Sequence, residues 1–125
     1  MKLNFLFVCD TAEISEAEKK LDVTGIFDSI GAKTFPATHP FVTVVAGLEV
    51  APEERNKDYI ESFEVRSEDT KVVIEDTSAF RPTAPRHQFL HRIQNLGLPR
   101  PGTYTVTIKV GGKPIGDTYF LATQV

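Results

Sequence analysis

The chain has 125 residues, 41% hydrophobic, 25% charged and 10% aromatic, with 17 acidic against 14 basic side chains. That length suits one domain, residues 1–125, and folding at this size buries roughly two thirds of the unfolded surface without metal or disulfide staples. A single cysteine, Cys9, excludes an internal disulfide and fits a reducing, cytoplasmic compartment, and no run nears the ~18 apolar residues of a membrane span.

The first predicted element is a strand over Leu3 to Cys9. Its apolar run stops at Val8 and contains Asn4, too short for the ~7–15 residues of a secretion signal's apolar region. Ala12 to Lys20, rich in Glu, Ala and Lys, reads as a helical turn or a charged loop. Leu21 to Phe27 follows as a strand with Leu21, Val23, Gly25 and Phe27 on one side. Asp28 to Pro40 is a stiff loop, since Phe35-Pro36 and His39-Pro40 hold extended geometry before each proline. Such a loop either plugs one end of the fold with Phe35 or presents a surface.

Strict alternation begins at Phe41. Val42, Val44, Ala46, Leu48 and Val50 define a core face, while Phe41, Thr43, Gly47 and Glu49 alternate with them. Tyr59 to Arg66 and Val72 to Glu75 are strands joined by the polar hairpin loop 67–71. The prolines of Thr77 to Pro85 make that segment a loop. Arg86 to Leu98 is ambiguous, because Phe89, Ile93 and Leu96 also fit helical spacing; the Pro-Gly turn and strand that follow favour a strand.

Thr103 to Val110 is the clearest strand, with Tyr104, Val106, Ile108 and Val110 on one face. Its entry, Pro101-Gly102-Thr103-Tyr104, matches the tyrosine corner of immunoglobulin-type sandwiches, so the Tyr104 hydroxyl should bond backbone within residues 97–101. Gly111-Gly112 then supplies the positive φ angles of a tight primed turn. Simple pairing across that turn sets Asp117 on the apolar face, a costly place for a carboxylate, so a bulge is expected at Gly116-Asp117 that turns Phe120 and Ala122 inward. Short strands without long helical windows point to an all-β, two-sheet antiparallel sandwich, immunoglobulin-like, of seven or eight strands.

Candidate chemistry is sparse. His87 and His91 share a face, and with His39 they could ligate zinc, but Arg86 and Arg92 flank them with charge that opposes a cation. Arg81, Arg86, His87, His91 and Arg92, interleaved with Phe80 and Phe89, form the candidate interaction surface. A net charge of −3 argues against nucleic acid there. Loop carboxylates at 10–20, 49–58 and 76–86 could gather at one end and take calcium, although lysines and arginines in the same loops offset them. Arg81-Pro82-Thr83-Ala84-Pro85-Arg86 contains a Pro-x-x-Pro stretch of the kind aromatic grooves read. Nucleophile and phosphate-loop motifs are absent and Cys9 reads as packing, so no catalytic residue, metal or cofactor is assigned.

Charge is uneven along the chain: residues 1–76 carry 16 acids and 8 bases, residues 77–125 carry 1 acid and 6 bases. The halves can neutralise one another within the fold or meet between two copies.

Three stretches together, Leu21-Asp22-Val23-Thr24-Gly25-Ile26-Phe27-Asp28-Ser29-Ile30, Phe35-Pro36-Ala37-Thr38-His39-Pro40, and Pro101-Gly102-Thr103-Tyr104 with Val110-Gly111-Gly112, resemble a family of small bacterial proteins of unknown function. The resemblance implies a single-domain cytoplasmic β-sandwich with no established activity. The residues taken as structural are Tyr104, Gly102, Gly111, Gly112, Pro36 and Pro40. The expected role is non-enzymatic: a binding or assembly module that meets an unidentified protein partner or a second copy of itself, without a membrane. The alternative is a small-ligand or divalent-metal site in loops at one end of the sandwich.

Overall fold

A computed structural model describes residues 1–125. It is all-β, with strands β1 (Lys2–Ile14), β2 (Leu21–Ile26), β3 (Ser29–Ala32), β4 (Ala37–Glu49), β5 (Tyr59–Arg66), β6 (Val72–Phe80), β7 (Arg86–Leu98), β8 (Gly102–Val110) and β9 (Lys113–Gln124), plus one 3-10 turn at Pro52–Glu54. The strands form two sheets, β2-β1-β4-β7 and β3-β9-β8-β5-β6. Their facing sides share a core of 18 buried residues drawn from both sheets, including Val44, Leu48, Phe63, Val106, Ile108 and Phe120. No helix is long and apolar enough to cross a membrane.

There are nine strands, not seven or eight, and the pairing is not wholly antiparallel. The segment read as a stiff loop contains β3, which pairs in parallel with β9, Ile30 beside Ala122. Phe35 precedes a cis peptide bond to Pro36 and packs against the main core, as the plug reading requires. Of the helical turn or charged loop expected over Ala12 to Lys20, residues 15–20 are a loop and Ala12 to Ile14 are strand. β1 runs on to Ile14 and hairpins into β2 through a loop closed by Ser15 and Lys20, with Lys19 at positive φ. Likewise β6 extends through Thr77 to Phe80, so the proline loop shrinks to residues 81–85. Arg86 to Leu98 is a strand, bonded to β4 along nearly its whole length.

Tyr104 is fully buried, and its hydroxyl donates to the Arg100 carbonyl at 2.6 Å while accepting the Arg100 N–H at 3.3 Å. The corner ties the loop before β8 to the core. Gly111 and Gly112 turn at φ 59° and 81°, pairing Val110 with Lys113. The bulge falls slightly earlier than predicted: Lys109 pairs with Pro114 and Ile108 with Gly116, leaving Ile115 as the extra residue. A side chain on Gly116 would collide with Leu3 of β1, so the kink sits where the other sheet presses closest. Beyond it Phe120 and Ala122 turn inward and Asp117 outward, as the cost of burying a carboxylate demands.

Candidate interaction face

β4 is buried on both faces, which simple alternation does not anticipate. From Val42 on its even residues enter the main core, and on the other face Thr43 and Val45 are also buried. That outer face has its own apolar cluster, Cys9, Ala12 and Val45, with Phe5, Phe7, Leu21, Val23 and Leu90 packed around them. Register explains the grouping. Phe7 of β1 and Leu90 of β7 flank Val45 on either side, while Phe5 and Gln88 flank Gly47. The Phe5 ring occupies the space a side chain at position 47 would need, and it stacks on Phe7 with ring centres 5.6 Å apart. Ile26, paired with Cys9, and Phe41, paired with Gln94, are further exposed apolar residues of the same sheet, at 62% and 58%. Every member comes from the four strands themselves, because the second sheet covers only their opposite side. Lys2, Glu49 and Arg86 line up as one polar border, and Arg92 stands on another.

The predicted interaction residues divide between two faces. Arg86 and Arg92 are exposed on this outer side, where Arg92 donates to the Ala12 carbonyl at 2.8 Å. Arg81, beyond the end of β6, lies 3.3 Å from Asp58. His87 and His91 do share a face, but it is the inner one, so neither belongs to the surface. Alternation along an extended strand sends Arg86 and Arg92 out and His87 and His91 in.

His91 Nε2 approaches both carboxylate oxygens of Glu61 on β5, at 2.6 and 2.8 Å, and Glu61 is fully buried. The Ser78 hydroxyl donates to the same carboxylate at 3.4 Å. His87 lies against the rings of Phe80 and Phe89, 4.9 and 4.8 Å away, and burial lowers its pKa despite the opposing charge of Glu61. Four residues of extended strand span about 13 Å, so the two imidazoles cannot reach one ion. His39 is farther along, opposite Leu96 and beside Phe27. Glu61 is the polar residue that sequence reasoning passed over, although it shares the odd-numbered register of Phe63 and Val65 and was therefore marked for the interior.

The acidic loops do not converge either. Lys2 at the start of β1 pairs with Glu49 at the end of β4, so the loop after Ile14 lies at the opposite end from loops 50–58 and 81–85. Those latter two meet, through Val50 N–H to Pro85 O at 2.7 Å and Asn56 N–H to Pro82 O at 2.8 Å. Pro82 is buried, which ties the Pro-x-x-Pro stretch into the fold. No group of three or more His, Cys, Asp or Glu side chains is placed to hold a metal ion. The largest recess, about 530 Å³, is an open one between Lys2, Glu49, Val50, Glu54 and Arg86. Cys9 is fully buried, and burial, then the charge of Asp10, raises its thiol pKa, opposite to what a nucleophile needs.

A family model described as Family of unknown function (DUF6941) matches residues 4–123. No curated protein matches the sequence. Among solved structures, the chain is similar to the Pseudomonas fluorescens alkylpurine DNA glycosylase AlkC bound to DNA containing an abasic site analog, with a TM-score of 0.57 and 12% identity. The match covers 98% of this chain and 30% of that one, so the chain spans about three-tenths of the glycosylase, and the likeness is one of fold.

Proposed function

The chain belongs to this family of unknown function, and we propose that it is a non-enzymatic bacterial, cytoplasmic module that docks a protein partner on the outer face of the sheet β2-β1-β4-β7. The observation that carries the reading is the half-exposed apolar set Phe5, Phe7 and Leu90, packed over the buried Val45 on a face no other element covers. Contiguous apolar surface with a polar border is how soluble proteins mark a partner site. The border is mixed in charge, with Lys2, Arg86 and Arg92 beside Glu13, Glu49 and Glu54, so the matching partner has an apolar centre and a charged edge of both signs. The reading also takes the fold as an immunoglobulin-like sandwich, supported by the Tyr104 corner, and the compartment as reducing, supported by the lone buried Cys9.

Affinity capture from a bacterial lysate with three baits tests it: the unaltered chain, Leu90→Gln, and Tyr119→Ser on the outer face of the other sheet. The expected result is a protein retained by the first and third baits and lost from the second. An identical set of proteins on all three baits overturns the proposal.

A further inference from the structure

One side of the molecule is left open. β7 is the last strand of one sheet and β6 the last of the other, and neither has a partner on its outer edge. They run in opposite directions along the same side. The Phe80 ring at the end of β6 lies against His87 and Phe89 near the start of β7, and Val72 and Val73 line a recess with Gly97 and Leu98 at the other end. The two edges differ in charge. β7 carries Arg86, His87, His91 and Arg92 and no acid, whereas β6 carries Glu75 and Asp76 and no base. Neither edge strand contains a proline or a lysine, the usual devices that keep an edge from pairing.

We infer that this open side is the interface of a two-fold symmetric homodimer, in which β7 of each copy pairs antiparallel with β6 of the other. Only one two-fold axis achieves this. An axis parallel to the strands brings the β7 edge against the other copy's β6 edge twice, joining each sheet to the opposite sheet of the second copy. An axis perpendicular to the sheets would instead set basic β7 against itself and acidic β6 against itself.

The parallel axis also restricts the register, because rotation about it leaves every residue at its own level along the strands. Within one chain Phe80 is level with His87 and Phe89. Matching Phe80 to His87 sets Asp76 of the second copy opposite His91 and its Glu75 opposite Arg92, whereas matching it to Phe89 sets them opposite Ile93 and Gln94; only the first pairs opposite charges. Both pairs agree in facing. Asp76 is on the inner side, opposite Phe63 in the β5 pairing, as His91 is; Glu75 and Arg92 both point outward. Asp76 and Glu75 are exposed in the single chain. The pairing extends two sheets, satisfies edge backbone groups and sets Glu75 against Arg92 on each side.

The test is sedimentation across a concentration series on the unaltered chain, Glu75→Arg, Arg92→Glu, their equimolar mixture and the chain carrying both changes. Thermal melting of each variant checks that it folds. The unaltered chain is expected to dimerise, and each single reversal to raise the dissociation constant about tenfold or more by placing like charges together twice. The mixture and the doubly changed chain both restore opposite charges and recover the dimer. A monomer at every concentration, or folded single variants that dimerise like the unaltered chain, overturns the inference. A dimer broken by Leu90→Gln but not by the reversals also overturns it, and assigns self-association to the outer face.

Discussion

Tyr104 shows how one hydroxyl decides a local path. Its ring stacks on Phe120 with centres 5.5 Å apart, and its oxygen serves both backbone groups of Arg100. Tyr104→Phe leaves the ring contacts in place and removes the hydroxyl that serves the Arg100 backbone, so a loss of about 1–2 kcal/mol in urea unfolding is expected. A midpoint unchanged within error would mean the corner contributes nothing. Glu64 illustrates the opposite environment on the outer face. Burial works against its charge, but the hydrogen bond and charge of Lys109, then Arg66, bring its pKa below the ordinary carboxylate value. Glu61 on the inner face and Glu64 on the outer one are both tolerated because each carboxylate has its partners within reach.

At the scale of elements, the contact of consequence is the bridge from β7 to β5 between the sheets. His91 and Glu61 are 30 positions apart in the chain and meet only because the two sheets face one another. His91→Leu leaves the fully buried Glu61 carboxylate without its imidazole and is expected to cost about 3–5 kcal/mol. Adding Glu61→Leu removes the stranded charge, so the double variant should recover most of that loss in the same denaturation series. A double variant as unstable as the single one would show that the pair is not where the energy resides. Most strands were legible from alternation, since period-2 patterning reflects which side meets water. β3 was not, because four residues paired in parallel at a sheet edge carry too short a pattern. The ends of β1 and β6 were missed for a related reason: their charged and hydroxyl side chains face solvent, so only backbone pairing reveals them as strand.

For the whole molecule, the lowered pKa of His87 links folding to pH. Burial keeps the imidazole neutral in the folded chain, while the unfolded chain protonates near 6.5, so unfolding takes up a proton between the two values. Stability is therefore full above about pH 6.5 and falls as pH drops from there through the lowered folded value. Melting temperatures recorded from about pH 7.5 to 5 should decline, and His87→Gln should flatten that decline. An identical slope in the variant would assign the acid sensitivity to other groups. The uneven charge of the two halves also finds its place at this scale. Interleaved strands spread it over both sheets, yet the open side keeps an acidic strand and a basic strand apart at two adjacent edges.

Composition and alternation determined the all-β class and the inward face of β4 and β8, and short motifs marked the glycine turn, the tyrosine corner and the resemblance to a family of unknown function. Each of these depends on a residue and its close neighbours, which is the range over which a linear pattern carries information. Tertiary structure decided the rest: which charged residues reach the surface, that His91 meets Glu61, that the acidic loops separate to opposite ends, and that Phe5, Phe7 and Leu90 form one patch. Those depend on strand order and register, which follow from the packing of distant segments against one another and leave no local mark in the chain.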